Sequence, residues 1–270
     1  AVDQKAVMAL LPSYLTSIDE PYADGSAIPT SILAKCAKEH VTVLLSGEGG
    51  DEMFSGYDTH AAAVARRWYR FLPSWFRTGI VAPLVKSLPV QHNKLSFDFR
   101  AKRFVHGVEC NTPTSHYAWR EVLNEEAKRR LLNNPEAFSE FPESASLFVD
   151  AWTHCQSTDD LCRLLHIDRT HHLPDDLMVK NDRMTMAFSI EARVPFCDKA
   201  LVEFLATVPP KLLMDGMNPK ALLRNAMKDL LPKSVIHRKK MGLEMPYSAW
   251  IRGPWRSWVH DLLSREHVQA

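Results

Sequence analysis

The stretch VTVLLSGEGGDEMFSGY, residues 41–57, decides the fold class that the sequence predicts. Its first five residues, 41–45, are mostly β-branched and apolar toward both faces, which is typical of a buried strand in a parallel sheet. Residues 27–39 carry an apolar stripe with helical spacing and follow the turn Asp24-Gly25-Ser26, which is a good helix-capping sequence. A helix followed by a buried strand is half of a βαβ unit, so we predict an α/β protein.

The rest of the chain is predicted to be almost entirely helical. Residues 41–45 are the only segment with a convincing strand pattern, and a single strand cannot form a sheet. We therefore expect its partner strands upstream of residue 1 or in a segment that the sequence pattern does not reveal. Residues 90–112 are expected to be loop or partly disordered. The predicted helices cover residues 1–17, 27–39, 58–72, 114–123, 125–132, 144–155, 158–171, 175–188, 199–207, a helix that starts at Asn218-Pro219, and 247–264.

Composition and charge exclude several classes of function. The chain has 270 residues, of which 46% are hydrophobic and 24% charged, as in ordinary globular proteins. Its formal net charge of +1 gives no electrostatic reason to expect a nucleic acid or an anionic membrane as partner. No apolar run approaches the ~20 residues that a membrane helix needs, and no signal peptide is visible. The five cysteines lack C-x-x-C spacing, which favours reduced thiols in a cytoplasmic protein.

The glycine-rich segment after the predicted strand, residues 46–57, is the first candidate site. In open α/β sheets ligands bind at the carboxyl ends of strands, and glycines let backbone N–H groups approach an anion. Three carboxylates in this segment, Glu48, Asp51 and Glu52, would repel a bare phosphate. A Mg²⁺ ion bound between a carboxylate and phosphate oxygens resolves this conflict. The alternative is an acidic surface turn without a ligand.

A row of basic residues forms the second candidate site. Lys220, Arg224 and Lys228 recur every four residues and share one face of a predicted helix. Lys220 is expected in the first turn, where the helix dipole disfavours cations by about 0.3–1 kcal/mol, so a neighbouring anion is implied. For Arg224 and Lys228, a solvated cationic stripe is the simpler interpretation.

The segment S-G-E-G-G-D-E-M-F-S-G-Y resembles the second signature of glutamine-dependent asparagine synthetases. The resemblance covers essentially all 270 residues, with Ser55 and Leu243 standing where that family usually has glycine and phenylalanine. It implies an ATP-pyrophosphatase domain with an adenine-nucleotide α-hydrolase-like fold, of which this chain is a mostly helical part. Further matches follow in order at residues 19–24, 180–186, 191–196 and 238–242.

The same resemblance implies that parts of the family's architecture lie outside residues 1–270. The family has an N-terminal glutaminase domain with a cysteine nucleophile, whereas this chain starts Ala1-Val2-Asp3. The family's S-G-G-x-D-S loop, which grips the phosphates of ATP, has no match in the sequence. We therefore expect residues 1–270 to be a partial synthetase domain that makes no asparagine by itself. A bared sheet edge is expected to favour self-association into a homo-oligomer.

The resemblance also assigns roles to residues of the glycine-rich segment. Ser46, Gly47 and Gly49 would line the ATP site, and Asp51 would hold Mg²⁺ and pyrophosphate. Glu48 would lie beside the reacting acyl-adenylate and handle a proton of the incoming ammonia. The related β-lactam synthetases have a tyrosine at that position, so a glutamate favours amide formation with ammonia.

Basic residues and a later segment gain roles in the same way. Lys220 matches the family lysine that contacts the phosphates and the adenylate, where it would stabilise charge on the pyrophosphate leaving group. Lys240, in a short basic run, is the weaker candidate for the ATP site. Glu191 and Arg193 point the same way if their segment is extended. These two residues would contact aspartate or, alternatively, form a structural ion pair.

The reaction that the resemblance implies is an ATP-dependent amide synthesis. ATP activates the β-carboxylate of aspartate as β-aspartyl-AMP, Mg²⁺-pyrophosphate leaves, and ammonia from a glutaminase domain attacks the acyl carbon. The protein contributes mainly positioning and electrostatics to such a reaction. Two alternatives stay open: a ligase of the same family that acts on another carboxylate, and a non-catalytic binding module derived from such an enzyme.

Overall fold

The computed structural model describes residues 3–18, 20, 22, 24–91, 96–132, 136, 141–238, 242–243, 245–264 and 266. The chain folds as two compact units. The first unit comprises Ala1–Ser46, Pro174–Pro195 and His237–Ala270, and the second comprises Gly47–Leu173 and Phe196–Ile236. Most described residues are helical, and the strands among them form one two-stranded sheet. This agrees with the prediction of a mostly helical chain with very few strands.

Helices of the first unit pack around a small apolar core. Its N-terminal helix begins after Asp3, whose Oδ1 accepts a hydrogen bond from the backbone N–H of Ala6 at 2.9 Å. The apolar residues of this helix recur at helical spacing and pack against the buried side chains of Met184 and Trp255. The ring of Trp255 also lies 4.8 Å from that of Trp250, as expected for a tail that packs through its indoles. The helices of this unit are Gln4–Ser17, Ala27–Ala37, Val179–Met186, Tyr247–Arg252 and Arg256–Leu262.

The sheet of the first unit has a partner strand inside the chain. Strand β1, Val43–Leu45, pairs in parallel with strand β2, Glu191–Arg193. Backbone hydrogen bonds extend the ladder from Glu191 N to Thr42 O at 2.9 Å and from Ser46 N to Arg193 O at 2.7 Å. Of the two alternatives that the sequence left open, β2 fits the second, a partner in a segment that the sequence pattern does not reveal. The sequence pattern missed β2 because a three-residue strand with charged residues at both ends has no apolar signature.

Strand β1 is parallel, as predicted, but it is not buried. Val43 is 41% exposed and Leu45 is 75% exposed, so the expectation of a buried strand is wrong for the described part of the chain. Apolar strands of parallel sheets are buried only where layers pack on both faces. Within the described residues β1 has β2 as its single neighbouring strand, and this leaves its outward apolar side chains uncovered.

The second unit is an assembly of helices. Its helix Asp160–Ile167 is capped by Asp159, whose Oδ1 accepts a hydrogen bond from the N–H of Leu161 at 2.8 Å. Leu164 and Ile167, one turn apart on this helix, are buried in a cluster with Ala151. The helices of this unit are Gly50–Phe54, Asp58–Tyr69, Ser74–Phe76, Ala82–Lys86, Phe97–Gly107, Thr112–Ala118, Glu125–Leu131, Ser144–His154, Asp160–Ile167, Lys199–Thr207, Pro210–Leu213, Ala221–Met227 and Lys233–Ile236. A π-helical turn occurs at Arg77–Val81, whereas the π-helical segment Asp168–Met178 and the 3-10 turn Pro195–Cys197 each include residues of both units.

One helix of the second unit contradicts the sequence prediction. Residues 90–112 were expected to be loop or partly disordered, yet Phe97–Gly107 is a helix, while residues 92–95 lie outside the described residues. Tertiary contacts stabilise this helix: Arg103 donates hydrogen bonds to the carbonyl oxygens of Trp119 at 2.5 Å and Glu121 at 2.6 Å. The ring of Phe104 also stacks on that of Trp119 at 5.9 Å. Such contacts override weak local propensity and are invisible in the local sequence.

Across the described ranges, no helix has the combination of length and apolar character that spanning a membrane requires.

Candidate active site

The glycine-rich segment folds as a tight turn followed by a short helix, Gly50–Phe54, here called the loop helix. Gly49 precedes it with φ of +85°, and a Cβ at that position would lie 2.5 Å from the Sγ of Cys197. A side chain would therefore clash as well as strain the backbone, which explains why glycine is needed there. A Cβ at Gly47, in contrast, would meet nothing within 4 Å. The start of the turn is thus open to a ligand while its end is packed.

The acidic group of the loop helix faces a lysine from a distant part of the sequence. Lys220 Nζ lies 2.6 Å from Asp51 Oδ1, with the two side chains 30% and 21% exposed. The backbone N–H of Lys220 also donates a hydrogen bond to the carbonyl oxygen of Phe54 at 3.2 Å. Both the main chain and the side chain of the lysine are therefore fixed against the loop helix. A half-buried carboxylate and an ammonium are thereby held side by side.

The sequence led us to expect Lys220 in the first turn of its helix, but the structure places it just before that turn. The helix is Ala221–Met227, and Lys220 is the residue before it, with φ of 56° in the left-handed region. The positive end of the helix dipole still lies at this residue, and Asp51 supplies the neighbouring anion that the sequence implied. A non-glycine residue in this conformation costs on the order of 1–3 kcal/mol and persists where surrounding contacts fix it. Such strained positions are frequent in binding and catalytic sites.

Gly56 gives the lysine room to reach the carboxylate. A Cβ on Gly56 would overlap both the Asp51 carboxylate and Cε of Lys220. The N–H of Gly56 donates a hydrogen bond to the backbone carbonyl of Asp51 at 2.8 Å. Ser55 before it has φ of 58°, in the left-handed region, at the position where the resembling motif has glycine. Sequence reasoning did not single out Gly56, although it belongs to the quoted motif.

Glu52 is the buried acid of the loop helix. It is 1% exposed, and its carboxylate accepts a hydrogen bond from the hydroxyl of Tyr57. Burial raises the pKa of Glu52 above its ordinary value, and the tyrosine hydrogen bond opposes this only in part. Glu48, three residues before Asp51, is half-buried. The carboxylates of this segment therefore lie in different environments, with Glu52 turned into the protein.

A second group of charged residues in the same unit was not predicted. Asp168 has no exposed surface and contacts three side chains, those of His60, His116 and Arg120. These four residues are called the Asp168 cluster. They are separated by 48 to 108 positions from Asp168 along the chain, so no local motif could have revealed them. Ring contacts place the cluster next to Tyr57, which lies 5.7 Å from His60.

The Asp168 cluster includes donor atoms of the type that bind metals, because His60, His116 and Asp168 each offer one within 4.8 Å of the others. However, Arg120 already donates a hydrogen bond to Asp168 Oδ2 at 2.7 Å. A divalent cation here would be placed against the guanidinium. The cluster is better explained as a buried carboxylate that accepts hydrogen bonds from three partners.

The remaining predicted residues belong to the first unit. Glu191 and Arg193 form an ion pair at 2.9 Å, with side chains 58% and 64% exposed. They point to the same side of β2, as predicted for an extended segment, and pairs this exposed contribute at most about 1 kcal/mol. The backbone of Ser46 continues the β1–β2 ladder. Lys240 lies outside the described residues.

Comparison with known proteins places this chain in a family. The family model described as Asparagine synthase matches residues 1–270. The asparagine synthetase (glutamine-hydrolyzing) 1 of Bacillus subtilis is 29% identical over 270 residues, which are 100% of this chain and 41% of the relative. A putative asparagine synthetase (glutamine-hydrolyzing) of Mycobacterium tuberculosis is 30% identical over 266 residues, 94% of this chain and 37% of the relative. A more distant relative, the amidase chyE of Penicillium rubens, is 21% identical over 300 residues, 100% of this chain and 42% of the relative.

This chain belongs to the asparagine synthase family. It spans about two fifths of the length of the synthetase relatives that it matches.

Proposed function

We propose that this chain forms part of an ATP-dependent, amide-forming ligase that converts aspartate to asparagine. The reaction would run through β-aspartyl-AMP, with ATP as the activating substrate, Mg²⁺ as cofactor and glutamine-derived ammonia as the nucleophile. The observation that carries the proposal is the 2.6 Å pair between Asp51 and Lys220 beside a turn that is open at Gly47. A carboxylate suited to Mg²⁺ and an ammonium suited to phosphate stand together there.

The donor groups of the loop fit a magnesium-bound polyphosphate. Asp51 would provide the carboxylate that holds Mg²⁺, and Lys220 would neutralise charge as pyrophosphate leaves. Mg²⁺, when bound, neutralises phosphate oxygens and so makes pyrophosphate a better leaving group. Ser46, Gly47 and Gly49 would line the path of the phosphates.

Amide formation requires a group that handles the proton of the attacking ammonia. Glu48 is proposed for that role, because it is half-buried in the turn and precedes the loop helix that carries Asp51. Its carboxylate would accept a proton as nitrogen bonds to the acyl carbon and AMP leaves. Glu191 and Arg193 are proposed as aspartate contacts, and Lys240 as a further phosphate contact.

The parent fold and the compartment belong to the same proposal. A helix, a parallel strand and a glycine-rich turn in succession support an adenine-nucleotide α-hydrolase-like domain, of which residues 1–270 would be a part. All five cysteines are free, which suits a reducing compartment such as the cytoplasm.

A second candidate function is a ligase of the same family with another carboxylate as acceptor. The amidase relative supports it, since it aligns over the whole of this chain at 21% identity. Measuring pyrophosphate release by the natural full-length protein, with ATP, ammonia and either aspartate or other carboxylic acids, separates the two candidates. Pyrophosphate release with aspartate but not with the other acids supports asparagine synthesis. Release only with another acid supports the alternative.

The proposed phosphate site is tested by titrating this chain with inorganic pyrophosphate and Mg²⁺ in a calorimeter. We expect the wild-type chain to bind, and Lys220→Met to lose roughly tenfold or more in affinity, because a charge-assisted hydrogen bond contributes about 1.5–3 kcal/mol. Lys228→Met is the matched control, since Lys228 follows the same helix and is exposed. Equal affinities for the wild type and Lys220→Met, or no binding by the wild type, would contradict the proposal.

A further inference from the structure

The Asp168 cluster is a buried ionic arrangement with no assigned role in the proposed reaction. Asp168 accepts hydrogen bonds from His60 Nε2 and His116 Nε2, each at 2.8 Å, and from Arg120 at 2.7 Å. Burial alone would raise the pKa of Asp168, but Arg120 and the histidines outweigh it and hold that pKa well below its usual range. Asp168 is therefore a fixed anion inside the second unit.

Arg120 connects this anion to an aromatic ring. Its guanidinium carbon lies 4.4 Å from the centroid of the Tyr57 ring while the same group donates a hydrogen bond to Asp168. The hydrogen bond to Asp168 restricts where the planar guanidinium can lie over the ring. Asp168 therefore helps to fix Arg120 on Tyr57, together with Thr59, whose hydroxyl accepts a hydrogen bond from Arg120 at 3.3 Å. The Tyr57 ring also contacts the rings of His60 at 5.7 Å and His172 at 5.4 Å.

Tyr57 in turn connects to the loop helix. Its hydroxyl donates a hydrogen bond to Glu52, which is 1% exposed. Glu52 is next to Asp51 in a helix of five residues, and a helix so short has little rigidity of its own. Its position therefore depends strongly on the contacts of its residues, and the hydrogen bond between the buried Glu52 and Tyr57 is one of them.

We propose that Asp168 is a positioning residue for the Asp51–Lys220 pair and acts through Arg120, Tyr57 and Glu52. Asp168 itself has no exposed surface, so its proposed role is indirect. It fixes the ring that anchors the loop helix, and the helix presents Asp51 to Lys220 at 2.6 Å. This proposal rests on the proposed function only for the role of the Asp51–Lys220 pair in the reaction. Its first measurement is therefore made on the chain without any ligand.

The reactivity of Lys220 toward an acylating reagent, followed peptide by peptide with mass spectrometry, tests the proposal. An ammonium paired with a carboxylate reacts slowly, and release of the pair exposes it. In Asp168→Asn we expect the acylation rate of Lys220 to rise roughly three- to tenfold, in the lower part of the range that coupled residues produce. The rate at Lys199, whose side chain is 87% exposed, should stay unchanged and serves as the internal reference.

A matched control distinguishes positioning from general loss of stability. Asp98 is 4% exposed in the same unit, and its ion pair with Lys102 at 4.0 Å does not involve the loop helix. Asp98→Asn should leave the rate at Lys220 unchanged. A rise at Lys220 that Asp98→Asn matches, or that Lys199 follows in parallel, would overturn the proposal.

A double-mutant cycle keeps the proposal testable if Asp168→Asn folds poorly. Arg120→Lys retains a cation beside Asp168 but loses the planar contact with Tyr57, and Tyr57→Phe removes the hydrogen bond to Glu52. If the two act along one path, the double variant will raise Lys220 acylation no more than the larger single change. Multiplicative rate increases would show independent effects and would contradict the path. A wild-type chain that does not bind pyrophosphate would refute the proposed function but leave this result intact.

Discussion

At the scale of single residues, Gly56 is the position on which the Asp51–Lys220 pair depends most directly. In Gly56→Ala, the new methyl group would overlap the carboxylate and the lysine side chain. We expect loss of pyrophosphate binding and a fall of about 1–3 kcal/mol in the free energy of unfolding, as for other overpacked sites. Calorimetry and urea denaturation measure the two effects.

Gly79→Ala is the control for that substitution. A Cβ at Gly79 meets nothing within 4 Å, and the residue lies in a helical turn. The control should be neutral or stabilising by up to about 1 kcal/mol, because alanine has the higher helix propensity. If Gly56→Ala changed pyrophosphate binding and the free energy of unfolding as little as Gly79→Ala, the close approach at Gly56 would affect neither, and the prediction would be wrong.

The lowered pKa of His116 predicts how the free energy of unfolding of the chain depends on pH. Burial lowers its pKa from 6.5 to about 4, outweighing the attraction of Asp168. Between pH 4 and pH 6.5 the imidazole of His116 is protonated in the unfolded chain but neutral in the folded chain. This contribution to the free energy of unfolding is therefore fully present at neutral pH and declines as the pH falls from 6.5 toward 4. We expect a decline of about 2–3 kcal/mol, measured by urea denaturation across this window.

In His116→Asn this part of the pH dependence should disappear, although the variant is less stable at neutral pH. The exposed His154, in the same unit, supplies the control His154→Asn, which should keep the wild-type slope. An unchanged slope in His116→Asn would refute the assignment.

The sequence predicted the candidate residues of the loop but not their supports. Asp51 was identified because it is a carboxylate in a glycine-rich turn, and Lys220 because it is a lysine near a helix start. Both patterns indicate a candidate binding site from the local sequence alone. The cluster around Asp168 was missed because its members come from separate helices and meet only in the folded unit. The left-handed backbone of Lys220 was missed as well, since nothing in its neighbours requires it.

At the scale of elements, the helix Phe97–Gly107 depends on contacts outside itself. Arg103 donates hydrogen bonds to two backbone carbonyls at the end of the neighbouring helix region, those of Trp119 and Glu121. We expect Arg103→Met to lower the free energy of unfolding by about 1–3 kcal/mol, because two partly buried acceptors lose a charged donor. Arg100→Met removes only a surface ion pair with Asp58 and should cost less than about 1 kcal/mol in urea denaturation. Equal effects would contradict this account.

Most of the long helices were predictable and the short strand was not. The predicted segments contain the helices Gln4–Ser17, Asp58–Tyr69, Ser144–His154 and Lys199–Thr207, because apolar residues at helical spacing are a local signal. Asp3 and Asp198 also cap the first and the last of these helices. Strand β2 and the helix Phe97–Gly107 lack such signals. They are specified by pairing with β1 and by Arg103, and only the folded chain brings those partners into contact.

At the scale of the whole molecule, exposed apolar side chains of β1 predict self-association. Leu45 is 75% exposed and Val43 41%, and each belongs to a strand with a single neighbour among the described residues. Unpaired edges and bared apolar patches promote association between chains. We expect the apparent mass in size-exclusion chromatography to rise with protein concentration, and Leu45→Lys to reduce this rise. A wild-type chain that stays monomeric at high concentration would refute the prediction.

The contact between Lys220 and Asp51 has a consequence for which anions the site would select. Because the ammonium already has an internal counter-ion at 2.6 Å, an incoming anion must displace a partner and leave a carboxylate without its cation. A metal-free anion offers no replacement, whereas a magnesium-complexed polyphosphate brings a cation for the carboxylate and oxygens for the lysine together. Under the proposed function, this exchange of partners would discriminate against free phosphate and other simple anions in favour of the metal complex.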